Sequence, residues 1–425
     1  MITGVGPWTA IGCGFEPFWT AVLNGTVGAR TVEPRVPSGE RRFRSRIGAP
    51  APEPTIEQLA LRERDAALLD PTTRTGLAAT ALALADAGIA TLPIDGAHGA
   101  LRLDGLDPQR VGVLIGTGIG GLSTIETAHR RWIEGQSYHG TYRFSLPMLI
   151  PNAVPAQIAI RYGLRGECKA VATACAAGTM AIGDAYRLIR DGELDAAVAG
   201  GVDWTLSTPG SWGLWGFDLL GTLSTRNGEP QRAARPFDLE RDGFVLADGA
   251  GIVVLESREH ARARGGRARA RVAGYATTCE GHSILQISPS GDEMVRCMTG
   301  ALRSACLSPA DIGYVNAHGT ATRQNDAREA AAIRRALGPA TDDAWVNSTK
   351  AMTGHAIGGS GGIEAIVTAL SVEAGVAHRC VNLERPDPEC DVPLPLGNAE
   401  LHRPAALSNS FGFGGHNATL VLTPP

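Results

Sequence analysis

The chain has 425 residues, of which 44% are hydrophobic and 19% charged, and its formal net charge at pH 7 is −4. This length and hydrophobic content predict a globular protein with two domains or one large α/β unit, and they exclude a disordered chain. The small acidic excess argues against nucleic-acid binding, because no basic surplus is present to neutralise phosphates.

The eight cysteines show no Cys-x-x-Cys pair and no spacing typical of zinc sites. In a chain of this length they predict reduced thiols. Residues 1–6 predict a core strand rather than a secretory signal, and no apolar run reaches the roughly 20 residues that span a bilayer. We therefore expect a soluble, cytoplasmic protein without a membrane or nucleic-acid partner.

Strand-like and helix-like segments alternate along the first half, which predicts α/β layers with buried strands. Residues 110–116 form an apolar run that ends in glycine, as buried parallel strands often do. The stretch from Gly178 to Asp191 has apolar residues at helical spacing, and residues 196–201 predict the next buried strand. With Cys175 between the first strands and this helix, the segments predict a strand–cysteine–helix–strand unit.

Cys175 stands where a strand-like run turns into a helix-forming stretch of small residues. A thiol at a helix N-terminus faces free backbone N–H groups and the positive end of the helix dipole, which favours the thiolate. Small neighbours also let a ligand carbonyl approach the backbone. Most cysteines are buried apolar fillers, so this residue alone only suggests a nucleophile.

The stretch 258–271 contains six arginines and marks the predicted boundary between two halves, 1–265 and 266–425. Glycine-rich strand ends recur in both halves, for example around Leu114 and Val315. This faint echo suggests a duplication, although such strand ends are common in α/β proteins.

Three polar segments of the second half follow β-type runs or precede glycine-rich turns. They contain His318 with Thr320 and Thr322, Lys350 and His355 with Glu364 in the next helix, and Phe411 in a Gly/Phe turn. A lone histidine is more often a structural hydrogen-bonder than a catalyst. The histidines also suit metal binding, but no third ligand stands near them in sequence. A Cys–His protease would leave one histidine and the lysine unexplained.

Jointly, these segments resemble the elongating β-ketoacyl-ACP synthases, or ketosynthases, of the thiolase superfamily. The resemblance covers nearly the whole chain, and its supporting stretches are residues 3–6, 116–121, 223–227, 235–244, 382–391 and 409–415. It implies an α/β, thiolase-like fold of two duplicated halves, each with a mixed five-stranded sheet, in α-β-α-β-α layers. The nucleophile belongs to the first half, and the two histidines and the Phe/Gly turn belong to the second.

The resemblance implies a ping-pong condensation. Cys175 would take an acyl group from an acyl carrier protein, and His318 and His355 would stabilise the enolate left when malonyl-ACP loses carbon dioxide. The carbanion would then attack the acyl-cysteine and extend the chain by two carbons. The backbone N–H groups of Cys175 and Phe411 would form the oxyanion hole.

Further roles are implied for residues around this centre. Lys350 would act in catalysis by shaping the electrostatics around His355, and Glu364 would support the network, with a possible structural monovalent cation. The remaining implied residues are Thr320 and Thr322 for the phosphopantetheine arm, and Phe411 with Ile119 as the gate of the acyl pocket. No redox cofactor, nucleotide or essential metal is implied.

The chain departs from the family pattern in three places. Ala176 and Ala177 replace the usual hydroxyl residues, and Asp203 stands where many relatives have Glu. The segment 69–75 keeps only Arg74 of the usual basic cluster that docks the carrier protein. Docking would then rely on other arginines, such as Arg130, Arg131 or those of residues 258–271.

Three functions follow from the resemblance. The first is a homodimeric condensing enzyme of fatty acid synthesis. The second is the ketosynthase subunit of a type II polyketide or polyene pathway, paired with a chain-length-factor subunit. The alanines after Cys175 and the sparse docking segment slightly favour this specialised role. The third, a non-catalytic partner subunit, is disfavoured because the cysteine and both histidines are present.

Overall fold

The computed structural model describes residues 1–34, 43–94, 99–135 and 143–425. Its strands are β1 (Ile2–Thr9), β2 (Gly12–Cys13), β3 (Arg30–Thr31), β4 (Ile47–Ala49), β5 (Thr91–Pro93), β6 (Leu101–Leu103), β7 (Val111–Gly116), β8 (Cys168–Val171), β9 (Ala196–Trp204), β10 (Leu246–Glu256), β11 (Arg271–Cys279), β12 (Ile312–Asn316), β13 (Trp345–Asn347), β14 (Val376–Ala377), β15 (Ala399–Glu400), β16 (Ala405–Gly412) and β17 (His416–Thr423).

Its helices are α1 (Phe15–Asn24), α2 (Ile56–Leu59), α3 (Glu63–Ala66), α4 (Pro71–Asp86), α5 (Leu122–Ile133), α6 (Ser145–Leu149), α7 (Ala153–Tyr162), α8 (Ala177–Arg190), α9 (Trp212–Leu220), α10 (Arg258–Ala263), α11 (Asp292–Ala305), α12 (Arg323–Leu337), α13 (Lys350–Thr353) and α14 (Ser360–Ala374). Within these described residues, no helix combines the length and the apolar character needed to cross a bilayer.

The two large sheets share one topology. The main path of the first sheet runs β2-β1-β10-β9-β7-β8, and the second runs β11-β17-β16-β12-β13. In the order β1-β10-β9-β7-β8, the middle strand of the first three, β10, is antiparallel to both of its neighbours, and the last three strands are parallel. The second sheet has the same pattern strand for strand. The short strands β2, β3 and β4 are additions to the first sheet, which otherwise has the predicted five strands.

Helices cover both sheets and also separate them. Helices α4 and α7 pack on the outer face of the first sheet, and α11 packs on the outer face of the second, with α12 beside it. Helices α8 and α14 lie between the two sheets. Residues of α14 from Ser360 to Val372 are buried, as expected for a helix that is covered on all sides. The predicted duplicated α-β-α-β-α fold is thus confirmed.

The two central helices touch through glycines. A Cβ atom at Gly178, near the start of α8, would stand 2.7 Å from the carbonyl oxygen of Gly358 and 2.8 Å from the backbone nitrogen of Gly362. Such distances leave no room for a side chain. The absence of side chains here lets the first turns of α8 and α14 come together, and this contact brings residues of the two halves to one place.

The strand–cysteine–helix–strand unit appears as predicted, with β7, α8 and β9 close to the predicted ranges. β10, the last strand of the first sheet, ends at Glu256, and β11, the first of the second, begins at Arg271. The predicted boundary between residues 265 and 266 falls in this connection and stays a prediction.

Candidate functional site

Cys175 lies in a tight turn between β8 and α8. It is the middle residue of a short 3-10 turn, Ala174–Ala176, and Ala174 has a φ of 49°, in the left-handed region that residues with a Cβ seldom adopt. An equivalent turn, Ile357–Gly359, precedes α14, and Ile357 has a φ of 47°. The duplicated fold therefore places the same strained turn before each central helix.

The structure brings Cys175 and the two predicted histidines together. The sulfur of Cys175 lies 3.1 Å from Nε2 of His355. The imidazole rings of His318 and His355 are 5.5 Å apart and nearly perpendicular. All three side chains are buried, with at most 6% of each residue exposed. This cluster joins the first half to the second, although 143 residues separate Cys175 from His318 in the sequence.

Lys350 contacts His318 rather than His355. Its ammonium group lies 3.2 Å from Nδ1 of His318 and 2.7 Å from the carbonyl oxygen of the same residue, and it forms a buried ion pair with Glu364. These three acceptors use all three ammonium hydrogens. Because an ammonium can only donate, Nδ1 of His318 must accept, and the single proton of the neutral ring is on Nε2.

The buried charges shift the titration of this network. Burial, and then the charge of Lys350, hold the pKa values of His318 and His355 well below their usual range. Both rings are therefore neutral at physiological pH. Burial raises the pKa of Glu364 to about 7, although the charge of Lys350 opposes this shift. The influence of Lys350 on His355 is thus electrostatic, and its hydrogen bonds are to His318 and Glu364.

The pKa of Cys175 is higher than the sequence predicts, because the position before a helix is expected to favour the thiolate. Burial raises its pKa to about 12, while the charge of Lys350 and a hydrogen bond from the backbone N–H of Phe413 act in the opposite direction. Loss of hydration outweighs the helix N-terminus, because the dipole supplies only a partial charge. The resting group is a thiol held among donors.

The backbone donor beside the sulfur of Cys175 is close in sequence to Phe411, the residue predicted to contribute to the oxyanion hole. The backbone N–H that faces the sulfur of Cys175 belongs to Phe413, two residues beyond Phe411. Phe411 still lies within β16, paired with Asn417, whereas Phe413 begins the turn after the strand. The role of the Phe411 N–H in the oxyanion hole stays a prediction, and the N–H of Phe413 is the backbone donor that lies beside the sulfur.

A cavity of about 460 Å³ leads to this cluster. Thr320 and Thr322, predicted to bind the phosphopantetheine arm, line it, and their hydroxyl oxygens are 3.0 Å apart. Phe411 and Phe413 also line it. Phe411 is 6% exposed and packs in the core of the second half. Ile119 is not among the lining residues, whereas Ile357 is, and the predicted gate of Phe411 and Ile119 stays a prediction.

Sequence reasoning missed several residues that hold this site. Ser360 contacts Nδ1 of His355 at 2.8 Å. Glu329 accepts hydrogen bonds from the backbone nitrogens of His318 and Gly319, both at 2.8 Å. The carboxylate of Asp203 accepts from Gly118 in the first half and from Gly358 in the second, both at 2.7 Å. Only Asp203 had a sequence signal, its difference from the family pattern, and that signal did not indicate its contacts.

The same cluster supplies the third metal ligand that the sequence did not reveal. Ligand atoms of Cys175, His318 and His355 lie within 4.8 Å of one another. A metal cation there would be close to the ammonium of Lys350, which contacts His318. Imidazole N–H donors beside a buried ammonium instead favour negative charge on a ligand. The arrangement suits a reaction in which an anion forms next to a thiol.

Known proteins share both the sequence and the fold. Residues 1–261 match the family described as "Beta-ketoacyl synthase, N-terminal domain", and residues 269–384 match the corresponding C-terminal domain. A "3-oxoacyl-[acyl-carrier-protein] synthase 2" of Synechocystis sp. is 38% identical over 424 residues, which cover 99% of this chain and 97% of that protein.

Two solved structures agree over the full length. One is a type II polyketide synthase acyl-carrier protein in complex with its ketosynthase bound to the hexaketide, with 32% identity and a TM-score of 0.86. The other is the ishigamide ketosynthase/chain length factor, with 28% identity and a TM-score of 0.86. Each covers 100% of this chain, which in turn covers 98% of each matched chain. With the Cys–His–His cluster in place, these matches show that the chain belongs to the β-ketoacyl synthase family of condensing acyltransferases.

Proposed function

We propose that this chain carries an acyl group on Cys175 and condenses it with the enolate formed from a malonyl group on an acyl carrier protein. The observation that carries this proposal is the buried cluster of one thiol, two neutral imidazoles and an ammonium group at the end of a single cavity. It offers a nucleophile beside two donors for an anion that exists only during the reaction.

The steps balance within the site. In the first, the sulfur of Cys175 replaces the carrier thiol in the acyl thioester, and the carrier leaves as a free thiol. In the second, the bond to the malonyl carboxylate breaks, carbon dioxide leaves, and the electron pair forms an enolate whose oxygen accepts N–H bonds from His318 and His355. In the third, the enolate carbon attacks the acyl carbon, and the cysteine sulfur leaves as a thiolate that takes up one proton from solvent to return to the resting thiol.

The third step forms a tetrahedral oxyanion that needs its own donors. The backbone N–H of Phe413 already faces the sulfur of Cys175, and the N–H of Cys175 is the second proposed donor. Separate donors for enolate and oxyanion let each be placed where its charge develops. Release of carbon dioxide drives bond formation, so the proposal includes no redox cofactor or essential metal.

A structural monovalent cation, implied by the family resemblance, fits one part of the structure. Oε2 of Glu364 and Oγ of Ser408 are buried without a hydrogen-bond partner among the described residues. Ser408 pairs in register with Asn316, whose side-chain amide donates to the backbone carbonyl of Glu364. Two unpaired buried oxygens in this neighbourhood suit a cation with oxygen ligands, and Glu364 and Ser408 are the proposed ligands.

The acyl carrier protein is the proposed partner, and it must present its arm at the mouth of the cavity. Gly221 and Thr222, which follow α9, line that cavity. Leu219 and Leu220 immediately precede them and are 61% and 45% exposed. The arginines expected to dock the carrier lie elsewhere: Arg74 and Arg131 line a separate cavity of about 230 Å³. We therefore place the carrier on the apolar end of α9.

Two pathways remain part of the proposal: fatty acid synthesis by a homodimer, and a type II polyketide or polyene pathway with a chain-length-factor subunit. Similarity to a ketosynthase/chain length factor assembly supports the second. In either case a partner subunit is expected, and strand β8, at the edge of the first sheet and partly exposed, offers a place for one. The eight free cysteines support the predicted cytoplasmic location.

The nucleophile is tested by Cys175→Ala. Incubation with an acyl carrier protein that carries a saturated acyl group should add one acyl group to the wild-type chain and none to the variant, as measured by intact-protein mass spectrometry. Cys297→Ala, which removes another buried cysteine, is the matched control and should be acylated normally. Acylation of the Cys175→Ala chain to the wild-type extent would contradict the proposal.

The condensation activity of the purified protein, measured with and without a partner subunit, distinguishes the two pathways. A fatty acid enzyme should by itself condense the saturated acyl group with the malonyl group of a malonyl-loaded carrier protein. A polyketide-type subunit should acquire this activity only when a cysteine-lacking partner subunit is added, with a matching increase in the mass of the assembly measured by light scattering.

A further inference from the structure

Ser360 is the first residue of α14 and contacts the ring nitrogen of His355 that does not face Cys175. Its hydroxyl oxygen lies 2.8 Å from Nδ1 of His355 and 2.9 Å from the backbone nitrogen of Ala356. We propose that Ser360 is a positioning residue that keeps the proton of His355 on Nε2. This inference rests on the proposed role of His355 in the condensation.

The hydrogen-bond partners of the hydroxyl leave one satisfied arrangement. The N–H of Ala356 can only donate, so it occupies a lone pair of the hydroxyl oxygen. The hydroxyl hydrogen then needs an acceptor, and Nδ1 of His355 is the one recorded for it among the described residues. Ser360 is 2% exposed, so bulk water does not replace this partner. Nδ1 therefore accepts, and it carries no proton.

The alternative tautomer leaves a buried donor without a partner. With its proton on Nδ1, the ring would donate to Ser360, and the hydroxyl hydrogen would have no acceptor. A buried unpaired donor is costly, because it loses its bond to water without replacement. The hydroxyl of Ser360 thus favours the tautomer with the proton on Nε2, because it donates its hydrogen bond to Nδ1 of His355.

The tautomer decides what His355 does at the centre. Since its pKa is held well below the usual range, the ring has a single N–H. On Nε2 that hydrogen points toward the sulfur of Cys175 and toward the substrate position beside it. On Nδ1 it would leave Nε2 as an acceptor, unable to stabilise an enolate oxygen.

The two histidines thus reach the same state by different means. Lys350 fixes His318 through a donor that never accepts, and Ser360 fixes His355 through a hydroxyl whose direction is set by Ala356. A charged donor orients the proton of His318 and a neutral hydroxyl orients that of His355, so a second buried cation is not needed. Ser360 is assigned this role from its contacts and has no direct contact with the reacting atoms.

The experiment measures the tautomer directly. The protein is labelled with 15N in its histidine rings, and the His355 signals are assigned by their loss in His355→Gln. The wild-type protein should show the proton on Nε2. Ser360→Ala should show a measurable population with the proton on Nδ1, and Ser360→Thr, which keeps the hydroxyl, should return the wild-type spectrum.

Two rates accompany the spectra. In Ser360→Ala, decarboxylation of malonyl carrier protein should fall about tenfold, the size expected when a transition-state donor is present in only a fraction of molecules. Acylation of Cys175 should stay within about twofold of wild type, because that step does not use the donor to the enolate. Ser371→Ala, which alters a buried serine at the other end of α14, should leave both rates unchanged.

The outcomes separate this inference from the proposed function. A wild-type proton on Nδ1, or a Ser360→Ala protein with an unchanged spectrum and rate, overturns the role of Ser360. If the wild-type protein does not decarboxylate malonyl carrier protein, the proposed function fails, and the spectra still decide the tautomer. The wild-type spectrum also decides the matter if Ser360→Ala does not fold.

Discussion

Cys175 illustrates how burial changes the properties of a predicted nucleophile. Its place before a helix favours the thiolate, yet burial raises its pKa to about 12. The nearby donors, Nε2 of His355 and the backbone N–H of Phe413, face the sulfur. The N–H of Phe413 is positioned to stabilise the charge that forms during acyl transfer, while the low polarity of the surroundings keeps the resting thiol protonated.

The raised pKa predicts the pH dependence of alkylation at Cys175. Only the thiolate reacts with iodoacetamide, so the rate at this residue should rise about tenfold per pH unit from pH 6 to 9 without a plateau. The site of reaction is measured by peptide mass spectrometry. A short cysteine peptide with blocked termini is the reference thiol, and its rate should begin to level off above its pKa of about 8.5. A plateau below pH 8 at Cys175 would show the low-pKa thiolate expected from the helix N-terminus alone.

At the scale of elements, a close contact between glycines brings the two halves of the site together, next to the carboxylate of Asp203, which accepts hydrogen bonds from both halves. α8 presents Gly178 to the turn that contains Gly358, and a Cβ would stand 2.7 Å from the carbonyl oxygen of that residue. The helices begin next to each other because Gly178 in the first turn of α8 and Gly362 in the first turn of α14 have no side chains. The distance between Cys175 and His355 depends on this contact.

Gly178→Ala should therefore destabilise the protein by about 3 kcal/mol, the upper part of the range for overpacking, because backbone atoms rather than flexible side chains oppose the new methyl group. The free energy of unfolding is measured by urea denaturation. Gly216→Ala, in α9, is the matched control: its Cβ would meet nothing within 4 Å. A helical glycine replaced by alanine in open space should stabilise by about 0.5–1 kcal/mol. Equal effects of the two changes would show that α8 and α14 can separate without cost.

At the scale of the whole molecule, the mouth of the cavity determines where a carrier protein can sit. The exposed Leu219 and Leu220 immediately precede Gly221 and Thr222, which line the cavity, and the predicted docking residue Arg131 lines a separate cavity. An apolar docking surface differs from an ionic one in its response to salt, since screening weakens only the contacts between charges.

The double change Leu219→Glu and Leu220→Glu should raise KM for the acyl carrier protein about tenfold, because it removes apolar contact area of roughly one leucine side chain. Turnover of a short pantetheine thioester, which needs no docking, should stay unchanged. Leu396→Glu, at a residue that is 74% exposed and outside the cavity lining, controls for added charge. An unchanged KM for the carrier, or a KM that rises steeply with salt in the wild type, would favour docking through arginines.

The amino-acid sequence alone determined the fold class, and it predicted the cysteine and the two histidines that the structure brings together. Local patterns of neighbouring residues can be recognised in the sequence without the fold. They include the apolar runs that end in glycine, the turn before Cys175 and the polar segments around His318 and His355. The duplication was visible only as a faint echo, whereas the shared strand order of the two sheets shows it plainly.

Only the tertiary structure decided how these residues interact. It placed Lys350 on His318, put Phe413 rather than Phe411 over the sulfur, and brought Ser360 to the far side of His355. The physical reason is that hydrogen-bond direction and burial depend on atoms from both halves, set by the packing of α8 against α14. A sequence shows which groups are available, and the packing of two duplicated sheets decides which of them donates, which accepts and which is kept from water.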